Sequence, residues 1–168
     1  MKVTMMMAIT ADGMIARDHA HFPDWTCRAD KQMFKALTQK AGAVVFGSRT
    51  FRTIGKPLTG RLNIVLTRHP ERYQPFENVE FSSDPPEQLV AGLAGRGYTE
   101  VILAGGAIIN TVFAKSRLID EMLLTIAPKL FGQGLPMFSE ACDLTLELLK
   151  VQTLESHSLV LHYRVIYP

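Results

Sequence analysis

Four short apolar runs stand out along the chain, at residues 3–9, 43–46 (AVVF), 62–66 (LNIVL) and 101–104 (VILA). Unbroken runs of this length, rather than alternating ones, predict strands covered on both faces, as in a parallel sheet. Between them the apolar positions fall at helical spacing, which predicts helices at 28–39, 49–54, 86–96 and 107–115. Further strands are predicted at 122–126, 144–154 and 159–166, which close the sheet with an antiparallel end. The expected fold class is therefore α/β with a mostly parallel central sheet. In the first helix Met33, Phe34, Leu37 and Ala41 form the buried stripe, and Asp30 lies three and four residues before Met33 and Phe34. A carboxylate thus heads an apolar helix face.

Two connections lie outside this pattern. Residues 11–26 are too polar and turn-rich for core structure, and a loop of that length inside a compact domain is expected to act, as a lid does. Residues 73–86 contain prolines and read as a wandering connection within one domain. At 168 residues the chain has the size of a single domain, 1–168. No run approaches the roughly 18 to 20 apolar residues of a membrane span, so no membrane partner is expected. The apolar start reads as a buried first strand and not a signal peptide, because Asp12 and Gly13 stand where a cleavage site would fall.

Lys and Arg number 18 against 16 Asp and Glu, a net charge of +2 that makes no case for a nucleic-acid partner. A small-molecule ligand is the expected partner, and oligomeric state stays open. Cys27 and Cys142 belong to no CxxC or Cys/His cluster, and His19 and His21 sit in the turn-rich loop without further ligands. Neither a disulfide framework nor a metal is expected, and a reducing, cytoplasmic location fits.

Asp30 admits two readings: a first-turn acid complementing the helix dipole with Thr26 as cap, or a partly buried acid that hydrogen-bonds a ligand's ring nitrogen. Ala104-Gly105-Gly106-Ala107 follows a strand run and precedes a helical one, where glycines let the backbone approach a phosphate or ring. The same arrangement recurs at Phe46-Gly47-Ser48-Arg49-Thr50. Two such turns on neighbouring parallel strands can cradle one dinucleotide, and Arg49 and Arg68 can meet an extra phosphate, favouring NADPH over NADH. No GxGxxG fingerprint is present.

Over nearly its whole length the chain resembles the dihydrofolate reductases. Residues 47–68, GSRTFRTIGKPLTGRLNIVLTR, are similar to that family's Ile-Gly-x-Pro-Leu-x-Gly-Arg segment with its flanking glycine, threonine and strand. Asp30 followed by Phe34 resembles the pterin-binding acid and its aromatic. Ala8, Asp12, Ile15 and Ala16 match the first strand and the start of the mobile active-site loop, and Trp25 is similar to the tryptophan that orders a water beside the pterin. Thr125 resembles the threonine that hydrogen-bonds the acid, and Arg61 the arginine that holds the glutamate tail. Gly105 and Gly106 fall where the family has a cis Gly-Gly bond, while Asn110, Lys31 and Ser48 replace its aromatic, hydrophobic and arginine residues. Residues 103–138 look more like the riboflavin-pathway pyrimidine reductases, which share the fold and NADPH chemistry.

The resemblance implies a three-layer dihydrofolate reductase-like fold and hydride transfer from NADPH to 7,8-dihydrofolate, giving 5,6,7,8-tetrahydrofolate. It implies catalytic roles for Asp30, Trp25 and Thr125, and substrate contacts from Met6, Ala8, Phe34, Ile54, Leu58 and Arg61. The implied cofactor contacts are Ala8 and Ile15, then Gly47, Ser48, Arg49 and Thr50 at the first glycine turn, with Thr67 and Arg68 at the next strand end. Ala104, Gly105, Gly106, Ala107 and Ile108 complete them at the second turn. Two alternatives remain: NADPH-dependent reduction of a ribosylamino-pyrimidine phosphate, and a nucleotide-binding protein without turnover.

Overall fold

Strand β1 (Lys2–Thr10) lies near the middle of an eight-stranded sheet because both of its edges are paired, in parallel, with β6 (Glu100–Leu103) and β7 (Glu121–Ala127). The structure is a computed structural model and describes residues 1–74 and 76–167, so Pro75, inside the expected 73–86 connection, and Pro168 lie outside the described residues. With β3 (Ala43–Gly47), β4 (Leu62–Leu66), β5 (Val79–Ser82), β9 (Thr145–Thr153) and β10 (Leu159–Ile166), the strand order is β5-β4-β3-β6-β1-β7-β10-β9. Pairings from β5 through β7 are parallel, and β10 runs antiparallel to both β7 and β9.

Alternation along the strands divides the core. Val3, Met5, Val45, Ile64 and Leu103 face one side and pack with Leu89 and Leu93 of α3 (Pro86–Gly95) and Phe113 of α4 (Ala107–Lys115). Met6, Val44, Phe46, Val65 and Ile102 face the other, against the stripe of α1 (Arg28–Ala41) and Phe51 of α2 (Ser48–Ile54). The result is three layers, the α/β arrangement expected from the run pattern.

The differences from the sequence reading concern loops. The 73–86 connection contains β5, a four-residue strand with only Val79 fully buried, too short to register as a run. The 11–26 loop contains β2 (Met14–Ala16), paired antiparallel with β8 (Leu135–Pro136). A Cβ on Gly134 would lie 2.3 Å from the Ala16 carbonyl oxygen, so the two segments meet this closely only with glycine there. Thr26 does not cap α1. Cys27 holds the cap position without a side-chain bond, and the Ala29 N–H donates instead to Glu155 Oε1 (2.9 Å), from the β9–β10 connection. A long-range acceptor has replaced the local cap.

Candidate active site

Strands β1 and β3 lead to helices on one face of the sheet, whereas β6, between them, leads to α4 on the other. Chains diverging in this way open a crevice at the carboxyl ends of the strands, where ligands of open α/β sheets bind. The two glycine turns meet there. Gly47 N–H donates to Gly105 O (2.8 Å) and Ala104 N–H to Val45 O (2.8 Å), joining the ends of β3 and β6. The Gly105–Gly106 peptide bond is cis, and Gly105 has φ +82°.

A Cβ at each glycine would crowd a neighbour. A Cβ on Gly105 would lie 2.9 Å from Met7 Sδ, and one on Gly47 would lie 3.0 Å from Ile109 Cγ1. One on Gly106 would approach Thr50 Oγ1 at 3.3 Å, so the hydroxyl of α2 borders the second turn. Helix α4 starts at Ala107 with no acidic residue in its first turn, leaving its first N–H groups for an anion. Asn110 is fully buried. Its Nδ2 donates to Met137 O (2.9 Å), but its Oδ1 has no partner among the described residues and lies beside Gly105. A bare backbone cradle, a free helix start and an orphaned buried acceptor suit a dinucleotide carrying a phosphate and a ring. Ser48 is half-buried at the start of α2, Thr67 is half-buried past β4, Ile15 lies in β2, and Arg49, Arg68 and Ile108 are exposed at the rim.

On the α1 side, Ala8 and Thr125 are paired in register, and Val160 continues the row on β10. Met6 lies one pleat earlier in the cluster that also holds Phe34, Ile54 and Leu58, so these residues line one face. Thr125 is 2% exposed and Asp30 8%, the latter in the first turn of α1. Trp25 is half-buried edge-on against Phe131, with ring centroids 5.4 Å apart, and its indole N–H is buried without a partner among the described residues.

Arg61 is buried at the start of β4. Its Nε and Nη2 donate to Thr59 O (3.1 and 3.0 Å), and Nη1 donates to Lys35 O (3.4 Å) and to the Thr38 hydroxyl. Burial pulls its pKa below the ordinary value, though a guanidinium stays charged. It lies along the same helix as Asp30 and away from the glycine turns, since Gly60 and Gly42 precede their strands while Gly47 and Gly105 follow theirs.

Two contributors, Asn63 and Thr38, were not picked out from the sequence, and a third, Asp12, was matched only to the start of the loop without its role. Asn63, fully buried in β4, accepts from Leu58 N–H (2.9 Å) and donates to the carbonyls of Leu58, Arg61 and Asn78 (2.9, 3.0 and 3.1 Å). It organises the segment carrying Leu58 and Arg61, and its only signal was a polar residue inside an apolar run. Thr38, on the buried face of α1, meets Arg61 and donates to Phe34 O (2.6 Å). Asp12 clasps the segment after β7, accepting from Gly132 N–H (2.7 Å) and Phe131 N–H (3.1 Å) and from the Thr10 hydroxyl. Those bonds, the Thr10 hydroxyl foremost, hold its carboxyl below the usual range.

Cys27 and Cys142 are free thiols, and no helix is long and apolar enough to cross a membrane among the described residues. No group of three His, Cys, Asp or Glu residues is placed to hold a metal ion among them.

A Bacillus subtilis protein, YwjB, of uncharacterized function, is 27% identical over 170 residues, covering 96% of this chain and 97% of its own. The Thermotoga maritima diaminohydroxyphosphoribosylaminopyrimidine deaminase/5-amino-6-(5-phosphoribosylamino)uracil reductase shares the fold at a TM-score of 0.83 and 20% identity, over 98% of this chain and 56% of that one. Dihydrofolate reductase from Enterococcus faecalis, complexed with NADP(H), shares it at 0.74 and 21%, over 98% and 96%. These two likenesses show the fold. The profile of the dihydrofolate reductase family matches residues 2–141, so the chain belongs to the dihydrofolate reductase family.

Proposed function

We propose that the chain reduces 7,8-dihydrofolate to 5,6,7,8-tetrahydrofolate with NADPH. The observation that carries this reading is the pair Asp30 and Arg61 on one helix face: Asp30 and Thr38 are the buried residues of α1, and Thr38 touches the guanidinium. Five to eight residues separate Asp30 from Lys35 and Thr38, about 8 to 12 Å along the axis. An acid and a cation at that spacing suit an elongated substrate with a ring at one end and a carboxylate at the other. NADPH, when bound at the glycine turns, supplies the hydride. Gly47, Gly105 and Gly106 let the backbone approach it, and Arg49 and Arg68 border the place for its extra phosphate.

Asp30 accepts hydrogen bonds from the pterin's ring N–H and amino group and fixes the ring over Met6, Ala8 and Phe34. Thr125 borders the acid, and Ile54 and Leu58 enclose the middle of the substrate. Trp25 flanks the ring edge where N5 takes its proton, while the 11–26 loop, held by Asp12 and Phe131, keeps bulk water out. The same reading places the reaction in the cytoplasm, where thiols stay reduced.

A second reading, reduction of a ribosylamino-pyrimidine phosphate, draws support from Arg61, four of whose five N–H groups are already used by the protein, and from Asn110 in place of an aromatic. The test is NADPH oxidation followed by absorbance with dihydrofolate, beside the same reaction with the pyrimidine phosphate. Turnover with dihydrofolate, and an Arg61→Ala variant that loses dihydrofolate affinity while keeping NADPH, is expected. No oxidation with dihydrofolate refutes the first reading.

A further inference from the structure

Strand β9 ends the sheet, and its outer edge pairs with no other segment among the described residues. All nine of its residues are exposed, Leu148 and Val151 by 53% and 52%. The edge at the other end of the sheet is blunt, because β5 has only four residues. Strand β9 is long and contains no proline. A long apolar edge left open is a template for a further strand.

A one-residue bulge gives β9 two chemically distinct faces. Leu148 pairs with Tyr163 and Lys150 with His162, so Leu149 is the extra residue between them. Residues opposite one another in an antiparallel ladder share a face. Leu146, Leu148 and Val151 therefore lie on the side of Tyr163, while Glu147 and Lys150 lie on the side of Arg164 and His162. Strict alternation would have put Glu147 and Lys150 on opposite faces. Glu147 accepts a hydrogen bond from Arg164 Nη1 (2.8 Å), whereas Lys150 has no carboxylate partner among the described residues.

We propose that β9 pairs antiparallel with β9 of a second copy of this chain, about a two-fold axis between Leu148 and Leu149. In that register Glu147 lies opposite Lys150 of the second copy and Leu146 opposite Val151 of the second copy, and the symmetry makes each pair twice. The axis stands perpendicular to the sheet and keeps each face on its own side. This register is therefore open only because the bulge brings Glu147 and Lys150 to one face. The two apolar faces merge into one patch, and the two eight-stranded sheets become continuous. A reciprocal charge pattern of this kind favours a second copy over an unrelated strand. The assignment is independent of which substrate the chain reduces.

Sedimentation equilibrium on the whole chain tests it. The parent is expected to dimerise with a dissociation constant below about 100 µM. Leu148→Lys puts a charge on the apolar face, and Lys150→Glu sets two carboxylates opposite one another on each side of the axis. Each should weaken the dimer at least about tenfold, and Glu147→Lys should do the same with two ammonium groups. Far-ultraviolet circular dichroism should match the parent, because all three side chains are exposed. Mixing the Glu147→Lys chain with the Lys150→Glu chain restores opposite charges at both pairs, so the mixture should associate at least about tenfold more tightly than either variant alone. A monomeric parent, variants that dimerise as tightly as the parent, or a mixture no tighter than its components overturns the proposal.

Discussion

Replacing Asn63 by Ala tests whether the segment from Ile54 to Leu62 is held from inside the sheet. Asn63 is 0% exposed. Its loss strands the Leu58 N–H and the carbonyls of Leu58 and Arg61, whereas Asn78 O keeps a second donor, the Asn63 backbone N–H (2.8 Å). Three lost bonds at about 1 kcal/mol each, with a further cost for the buried Arg61 carbonyl, give about 3 to 4 kcal/mol. For a chain of this length that lowers the thermal midpoint by about 10 °C. Asn63→Asp should be worse, since a carboxylate would face three carbonyl oxygens. The damage is directional as well: in the proposed function Leu58 and Arg61 border the substrate, while the glycine turns lie at the other ends of the strands. The KM for dihydrofolate should rise with the NADPH dissociation constant unchanged. Calorimetry and steady-state kinetics on the same preparation check both points. A midpoint lowered by less than about 3 °C, or NADPH binding weakened as much as substrate binding, would refute the reasoning.

Asp30→Asn keeps the volume and removes the charge, so single-turnover hydride transfer should slow by about 10² to 10³ with NADPH affinity kept; an acid serving only the helix dipole would cost under about 1 kcal/mol of stability and leave the rate alone. Gly105→Ala puts a Cβ 2.9 Å from Met7 Sδ at a φ of +82°, so NADPH should bind at least about tenfold more weakly in a fluorescence titration, and an unchanged constant removes the cradle. NADPH should bind more tightly than NADH by about 1.5 to 3 kcal/mol at low salt through Arg49 and Arg68, and equal constants would take these arginines out of the phosphate site. The Asp12 carboxyl is held below its ordinary 3.8, so its clasp contributes fully above that value and is lost as pH falls through the lower folded value. Urea midpoints of the parent and Asp12→Asn, taken downward from pH 6, should converge only below about pH 4; a constant gap over that range sinks the assignment.

The helices and core strands were legible because side-chain period alone encodes them. Strand β4 and helix α4 match the limits read from apolar spacing, since the apolar residues of LNIVL and AIINTVFAK stop where the elements do. Asp30 was legible as an acid on an apolar face for the same reason, and the glycine turns because the same strand-glycine-helix arrangement recurs at Gly47 and at Gly105-Gly106. Strand β5 escaped, having four residues and no run. The β2–β8 pair escaped too, for it forms between two loops whose residues show no period.

By itself the sequence determined the α/β class, the order of the helices and of the long strands, and the residues from which a site could be built. Tertiary structure alone decided how they meet: the bond from Gly47 to Gly105 across β3 and β6, Glu155 in place of Thr26 at the start of α1, Thr38 against Arg61, and Asp12 beneath the N–H groups of Phe131 and Gly132. Each of these contacts joins backbone groups common to every residue, or single polar side chains, across long stretches of chain. Periodicity reports which face of an element is buried, but it carries no record of which distant partner satisfies a given N–H, carbonyl or charge.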